Sequence, residues 1–84
     1  MSDIDNLRDK IDEITLEMIN LLKKRTEIVK QIGTIKKDLG LSVTDEKREE
    51  NLRSKVISLC TEIDIDEGIG TRFLNFLLNE SIKV

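Results

Sequence analysis

The sequence predicts an all-α fold of three helices, one long and two shorter, on three observations. The 84-residue chain has no Pro and only two aromatic residues, both Phe. Its dominant residues are Leu, Ile, Glu, Lys and Asp, a composition that favours helices. Apolar residues also recur at helical spacing, and candidate capping residues precede each periodic segment. The length allows one domain, residues 1–84.

Helix 1, predicted over residues 3–38, carries the clearest pattern. Its apolar seam advances by alternating steps of three and four, as in a heptad repeat, and only Arg25 interrupts it. The seam consists of Ile4, Leu7, Ile11, Ile14, Met18, Leu21, Arg25, Ile28, Ile32, Ile35 and Leu39. Ser2 or Asp3 can cap its start, and Gly40 suits its end.

Helices 2 and 3 are predicted to be shorter. Helix 2 covers residues 45–62, with Thr44 as its N-cap. Either Asp64 or Asp66 can cap helix 3. The apolar face of helix 3 contains Ile69, Phe73, Phe76, Leu77 and Leu78.

The length of helix 1 predicts a homodimer. A helix of this length extends roughly 50 Å, whereas a compact chain of this size has a radius of gyration of about 12 Å. Helices 2 and 3 are too short to cover the whole seam. A second copy offers the same seam, and a two-fold pairing is the commonest closed solution. We therefore expect an intertwined helical homodimer.

Composition excludes several classes of function. The chain has 14 basic and 17 acidic residues, interspersed, with a net charge of −3, which disfavours nucleic-acid binding. No apolar run approaches a membrane span and the acidic N-terminus is unlike a secretory signal, so we expect a cytoplasmic protein without a membrane partner. With no His and only Cys60, a metal site and a His-dependent nucleophile are disfavoured.

Two cations lie on one face of helix 1. Lys36 follows Arg25 by eleven residues, which places them within about 20° of each other and about 16 Å apart along the axis. Together they could bind a small anion. Taken singly, Arg25 is more often a partly buried side chain with its charged head in solvent or paired with a carboxylate, and Lys36 a solvated cation at a helix C-terminus.

Further polar residues continue the apolar stripes. Asp45, Arg48 and Glu49 are spaced to share one face of helix 2, and Ser81 continues the apolar face of helix 3. Arg8 lies about 25 Å from Arg25, so it could reach the same pocket only from an antiparallel partner chain. The simpler interpretations are a solvated first turn for helix 2, a surface position for Arg8, and a hydroxyl that bonds back to a helical carbonyl for Ser81.

These polar positions and their spacing resemble the all-helical chorismate mutases. The matching stretches are Leu7-Arg8-Asp9-Lys10-Ile11, Leu22-Lys23-Lys24-Arg25-Thr26-Glu27, Gly33-Thr34-Ile35-Lys36, Asp45-Glu46-Lys47-Arg48-Glu49 and Asn79-Glu80-Ser81. The fourth stretch is similar to the family's D-x-x-R-E signature. The resemblance covers essentially the whole chain. It implies an isomerase that converts chorismate to prephenate in phenylalanine and tyrosine biosynthesis, without a cofactor.

The resemblance also implies roles for four cations. Arg8 would bind a carboxylate of the substrate in the partner's pocket, and Arg25 would bind one in its own chain's pocket. Lys36 would contact the ether oxygen whose bond breaks. Arg48 would support the polar cluster of helix 2 and contact the substrate.

The remaining roles implied by the resemblance belong to acidic and hydroxyl groups. Glu49, helped by Asp45, would hold the ring hydroxyl, and Ser81 would help to hold a carboxylate. The family pattern continues with a Gln or Glu one turn beyond the serine, at the position after Val84. Loss of such a donor costs about 10²–10³ in rate, so we expect a longer native chain, a slow enzyme, or a site completed by another protein.

Other interpretations of the sequence stay open beside the enzyme. One is a non-catalytic or weakly active helical dimerisation or regulatory module of the same fold. Another is a relative that acts as an isochorismate pyruvate lyase, and a third is a mutase domain of a larger fusion protein. The inward-facing charges favour the enzyme over the module, because a pure interaction module has no use for them.

Overall fold

The computed structural model describes residues 2–42 and 44–83, which form three helices. Helix α1 spans Asp3–Leu39, α2 spans Glu46–Glu62 and α3 spans Glu67–Lys83. The predicted all-α class is confirmed, and the bounds of the first two helices differ from the predicted ones by one residue at most. Within the part of the chain described, no helix has an apolar stretch long enough to cross a bilayer.

Both ends of α1 follow from local chemistry. The Ser2 hydroxyl accepts a hydrogen bond from the Asp5 amide at 3.2 Å, so Ser2 is the N-cap. At the other end Gly40 adopts φ 68°, a left-handed conformation that glycine reaches without steric cost. The Leu41 amide then donates to the Lys36 carbonyl at 2.8 Å, as in a Schellman motif.

The prediction that Thr44 caps α2 is wrong by one residue. Asp45 is the N-cap, with an extended backbone and a carboxylate oxygen that accepts from the Arg48 amide at 3.1 Å. Thr44 is instead part of the loop, where its amide donates to Ser42 Oγ at 3.3 Å. A carboxylate is also favoured over a hydroxyl by the positive end of the helix dipole.

A short loop reverses the chain between α2 and α3. Asp64 adopts φ 59°, and the Ile65 amide donates to the Cys60 carbonyl at 2.9 Å, which closes α2 as Gly40 closes α1. Asp66 then accepts from the Ile69 amide at 3.3 Å. Of the two candidate caps for α3, Asp66 is therefore the one that functions.

Helices α2 and α3 pack closely where α3 carries a glycine. Cys60 and Leu74 are the two buried apolar residues among those described, and they lie on α2 and α3 respectively. A Cβ atom built on Gly70 would collide with Cys60 Sγ and approach Val56 Cγ1 to 3.3 Å. The missing side chain of Gly70 therefore allows the two helices to approach each other.

We expect Gly70→Ala to lower the free energy of unfolding by about 1–3 kcal/mol because the added methyl overpacks this contact. Urea unfolding followed by circular dichroism measures the loss. The double variant Cys60→Ala/Gly70→Ala is the matched control, since removing Sγ makes room for the methyl group. If the loss of unfolding free energy in the double variant equals the sum of the losses in the two single variants, the two positions do not clash.

Helix α1 is left largely uncovered by the rest of its own chain. It contains no buried residue, and the seam residues Ile11 and Met18 are 60% and 50% exposed. The radius of gyration is 16.4 Å and the longest dimension 57 Å, against about 12 Å expected for the radius of a compact chain. The seam predicted from the sequence exists, but one chain does not bury it.

Candidate active site

A cavity of about 500 Å³ opens between the C-terminal half of α1, the start of α2 and the last turns of α3. Of the seven residues predicted for the site, all but Arg8 line this cavity. These six residues are Arg25, Lys36, Asp45, Arg48, Glu49 and Ser81. Three separate helices thus bring together side chains that lie up to 56 residues apart in sequence.

Helix α1 forms one wall of the cavity with its C-terminal half. Arg25 and Lys36 both line the cavity, together with Val29 and Gly33 between them. Residues three, four or eleven positions apart share a helix face, so both cations face the same cavity. Both side chains are partly buried.

Arg25 is held in place by α3. Its Nη1 donates to Ser81 Oγ at 2.8 Å and to the Leu77 carbonyl oxygen at 3.4 Å. The Ser81 hydroxyl in turn donates to the same Leu77 carbonyl at 2.8 Å. The simpler interpretation of Ser81, a hydroxyl bonded to the preceding turn, is therefore correct, and the same hydroxyl also accepts from the predicted site arginine.

The first turn of α2 forms the opposite wall. Asp45, Arg48 and Glu49 line the cavity together, as their spacing predicts. The Asp45 carboxylate already accepts from the Arg48 amide as the N-cap, so it fixes the start of the helix that carries the other two side chains. Glu49 is half-buried, whereas Asp45 and Arg48 are exposed.

Arg8 lies outside the cavity of its own chain. It is exposed near the N-terminus of α1, about 25 Å along the helix from Arg25. This position agrees with the prediction that Arg8 cannot reach the site within one chain. The Gln or Glu that the family pattern places after Val84 lies outside the described residues.

Sequence reasoning missed several residues of the cavity wall. Val29, Gly33, Thr44 and Ile82 line the cavity but were not singled out as site residues. Two of them could have been found, because Val29 follows Arg25 by four residues and Gly33 precedes Lys36 by three, which places them on the same helix face. Thr44 and Ile82 depend on how the loop and α3 fold over α1.

The arrangement suits a small polyanion with an apolar body. Three cationic and two carboxylate side chains line the cavity, so their net charge is one positive. The rest of the wall is mostly aliphatic, with Ile28, Val29, Ile32, Leu78 and Ile82. No group of His, Cys, Asp or Glu among the described residues is arranged to hold a metal ion.

Known proteins share this sequence pattern. A family model described as chorismate mutase type II matches residues 7–84. A chorismate mutase from Methanocaldococcus jannaschii is 32% identical over 75 residues, which cover 89% of this chain and 76% of that protein. No solved structure gives a significant match.

Two longer relatives contain a segment similar to this chain. A bifunctional chorismate mutase/prephenate dehydratase from Aquifex aeolicus is 33% identical over 63 residues, or 75% of this chain and 17% of that protein. A T-protein from Haemophilus influenzae is 39% identical over 78 residues, or 88% of this chain and 21% of that protein.

Proposed function

We infer that this chain, which belongs to the chorismate mutase type II family, is an isomerase that converts chorismate to prephenate by a Claisen rearrangement. The observation that carries the inference is the cavity in which Arg25, Lys36 and Arg48 converge with Glu49. The substrate is a dicarboxylate, and the cavity offers cations for it. Prephenate formation belongs to the biosynthesis of phenylalanine and tyrosine, in keeping with the dehydratase activity named for the Aquifex relative.

The proposed mechanism combines conformational restraint with electrostatic stabilisation. A Claisen rearrangement is unimolecular and pericyclic, so it needs no nucleophile and no general base. Holding the substrate in its folded, reactive conformer accounts for part of the acceleration. Lys36 would stabilise the negative charge that develops on the ether oxygen as its bond breaks. Arg25 would hold a carboxylate, and Glu49 the ring hydroxyl, with Asp45 and Arg48 supporting it.

We further propose that the active form is an intertwined homodimer. Besides the exposed seam of α1, an apolar groove of about 550 Å³ lies between α1 and α3, lined by residues such as Met18, Leu22, Phe73 and Phe76. Exposed apolar surface that is continuous over a large area marks protein–protein interaction sites. A second copy would cover it with the same seam, and closed two-fold pairing is the commonest arrangement of such surfaces.

The length of α1 supports the proposed role of Arg8. Suppose that two antiparallel α1 helices overlap over their whole length. The numbers of two residues that face each other then sum to twice the number of the residue at the helix midpoint. The midpoint of Asp3–Leu39 is residue 21, so Arg8 would face Thr34 of the other chain. Thr34 lies between Arg25 and Lys36, beside the cavity. Arg8 would therefore reach the cavity of the partner.

The charge of the completed pocket would match the substrate. The five charged side chains that line the cavity in one chain carry a net charge of one positive. Arg8 from the partner would raise this to two positive charges. Chorismate carries two carboxylates, so the occupied pocket would be close to neutral, which limits the cost of desolvating the ions.

Loss of the absorbance of chorismate on incubation with the protein tests the proposed reaction, and chromatography identifies prephenate as the product. We expect conversion well above the rate in buffer. No acceleration at high protein concentration would contradict the enzymatic function and favour a helical dimerisation module. Release of pyruvate from isochorismate, with no action on chorismate, would instead indicate a lyase.

A further inference from the structure

Helix α1 is polarised in charge along its length. Its N-terminal half, residues 3–20, has six acidic and two basic side chains, whereas its C-terminal half, residues 22–39, has six basic and two acidic ones. The two halves therefore carry net charges of −4 and +4. In α2 and α3, by contrast, each half has as many acidic as basic residues. Apart from Arg25 and Lys36, the charged side chains of α1 are exposed, so the polarity lies on the surface.

The helix dipole explains only the ends of this pattern. The acidic residues of the first turn and Lys36 and Lys37 in the last turn complement the dipole, but the effect of the dipole falls off within those turns. Without the two terminal turns, residues 6–20 still carry a net charge of −2 and residues 22–35 one of +3. The inner part of the polarity therefore needs another explanation.

Within a single chain the inner segregation of charge is unfavourable. It places like charges four residues apart on one helix face, as at Asp9, Glu13 and Glu17, and such pairs destabilise a helix. A partner with the opposite polarity would turn this cost into an attraction. A second copy of α1 in the antiparallel direction is such a partner, because its basic half would lie beside the acidic half of the first copy. A parallel copy would instead bring like charges together.

We propose that the charge polarity of α1 selects the antiparallel direction of the homodimer and makes its assembly depend on salt. The proposal deepens the proposed homodimer and rests on it. Packed helices lie 8–10 Å apart, a distance close to the Debye length of about 8 Å at physiological ionic strength. The attraction between the halves therefore acts across the interface, and added salt weakens it. Because each pocket would need Arg8 of the other chain, activity at low protein concentration would fall as salt rises.

A variant with the same composition as the parent isolates the polarity. Asp12→Lys/Glu13→Lys/Lys23→Glu/Lys30→Glu keeps the net charge of the chain but leaves each half of α1 neutral. All four side chains are exposed, and they line neither the cavity nor the apolar groove. We expect the dimer dissociation constant of this variant to be about tenfold higher than that of the parent in 50 mM NaCl, because about four weak charge attractions are lost. Sedimentation equilibrium measures both constants.

An exchange of charges inside one half provides the matched control. Asp9→Lys/Lys10→Asp moves two charges but keeps the net charge of the N-terminal half, so its dissociation constant should stay near that of the parent. Raising NaCl to 500 mM should weaken the parent dimer about tenfold and the neutral-half variant much less. Equal affinity of the parent and the neutral-half variant in 50 mM NaCl would overturn the proposal and leave the homodimer standing. A parent that stays monomeric would contradict the homodimer itself.

A distance measurement tests the direction of pairing. In the Cys60→Ala background, a spin label attached through Asn6→Cys would sit at an exposed position near the start of α1. In an antiparallel pair centred on residue 21, the two labels would be about 45 Å apart along the axis, whereas a parallel pair would bring them within about 20 Å. Pulsed electron paramagnetic resonance distinguishes the two, and the short distance would refute the proposal. None of these measurements uses chorismate, so an inactive protein would count against the proposed reaction alone.

Discussion

Replacement of Lys36 by Ala is expected to lower kcat for chorismate by about 10²–10³-fold. Lys36 is the cavity cation that we place at the breaking ether bond, where negative charge appears mainly in the transition state. An interaction made chiefly in the transition state affects kcat more than KM. Steady-state kinetics, with prephenate formation as the readout, measures the two constants separately.

The neighbouring residue provides the control for this variant. Lys37 lies in the same last turn of α1, is exposed and does not line the cavity. Lys37→Ala removes the same charge from the helix C-terminus and should retain nearly full activity. If both variants lose activity equally, the effect belongs to the helix end and not to the site. Full activity in Lys36→Ala would show that the ether oxygen lies elsewhere.

The second large effect is complementation between two inactive chains. Arg8→Ala and Arg25→Ala should each lose at least about 10²-fold in kcat/KM, because each leaves a carboxylate of the substrate without its charged partner. Dissociating and reassociating an equal mixture makes about half of the dimers mixed. Each mixed dimer would contain one intact pocket, so activity should return to about a quarter of the parental value.

The control is a mixture of two variants that are each altered in the cavity of their own chain. Arg25 and Lys36 both belong to the cavity of their own chain, so a mixture of Arg25→Ala and Lys36→Ala contains no intact pocket and should stay inactive. Recovery in the first mixture and none in the second would locate Arg8 across the interface. No recovery in either mixture would contradict the trans role of Arg8, and light scattering would then show whether the chains pair at all.

The secondary structure of this protein was largely predictable from the sequence. The seam of α1 repeats over its whole length, and capping groups such as Ser2 and Gly40 define its ends through bonds to nearby amides and carbonyls. Adjacent candidates were harder to separate. Thr44 and Asp45 are both good caps, and in the structure it is the Asp45 carboxylate that accepts from the Arg48 amide.

The charged residues of the site were predictable for a similar reason. A cation on an apolar seam conflicts with its surroundings, and that conflict is visible in the sequence at Arg25. The eleven-residue spacing alone shows that Lys36 lies on the same helix face as Arg25. The site residues without charge gave no such signal, since Thr44 and Ile82 look like any loop hydroxyl and any apolar helix residue.

What the sequence determined by itself is therefore the local part: three helices, most of their ends, and which charged side chains share a face. Helical hydrogen bonds and caps join residues that are close in the chain, so local chemistry decides them. The tertiary structure decided which faces meet. It placed Ser81 against Arg25, 56 residues away, and it brought Gly70 against Cys60. Such contacts depend on how two loops orient rigid helices, which no local pattern encodes.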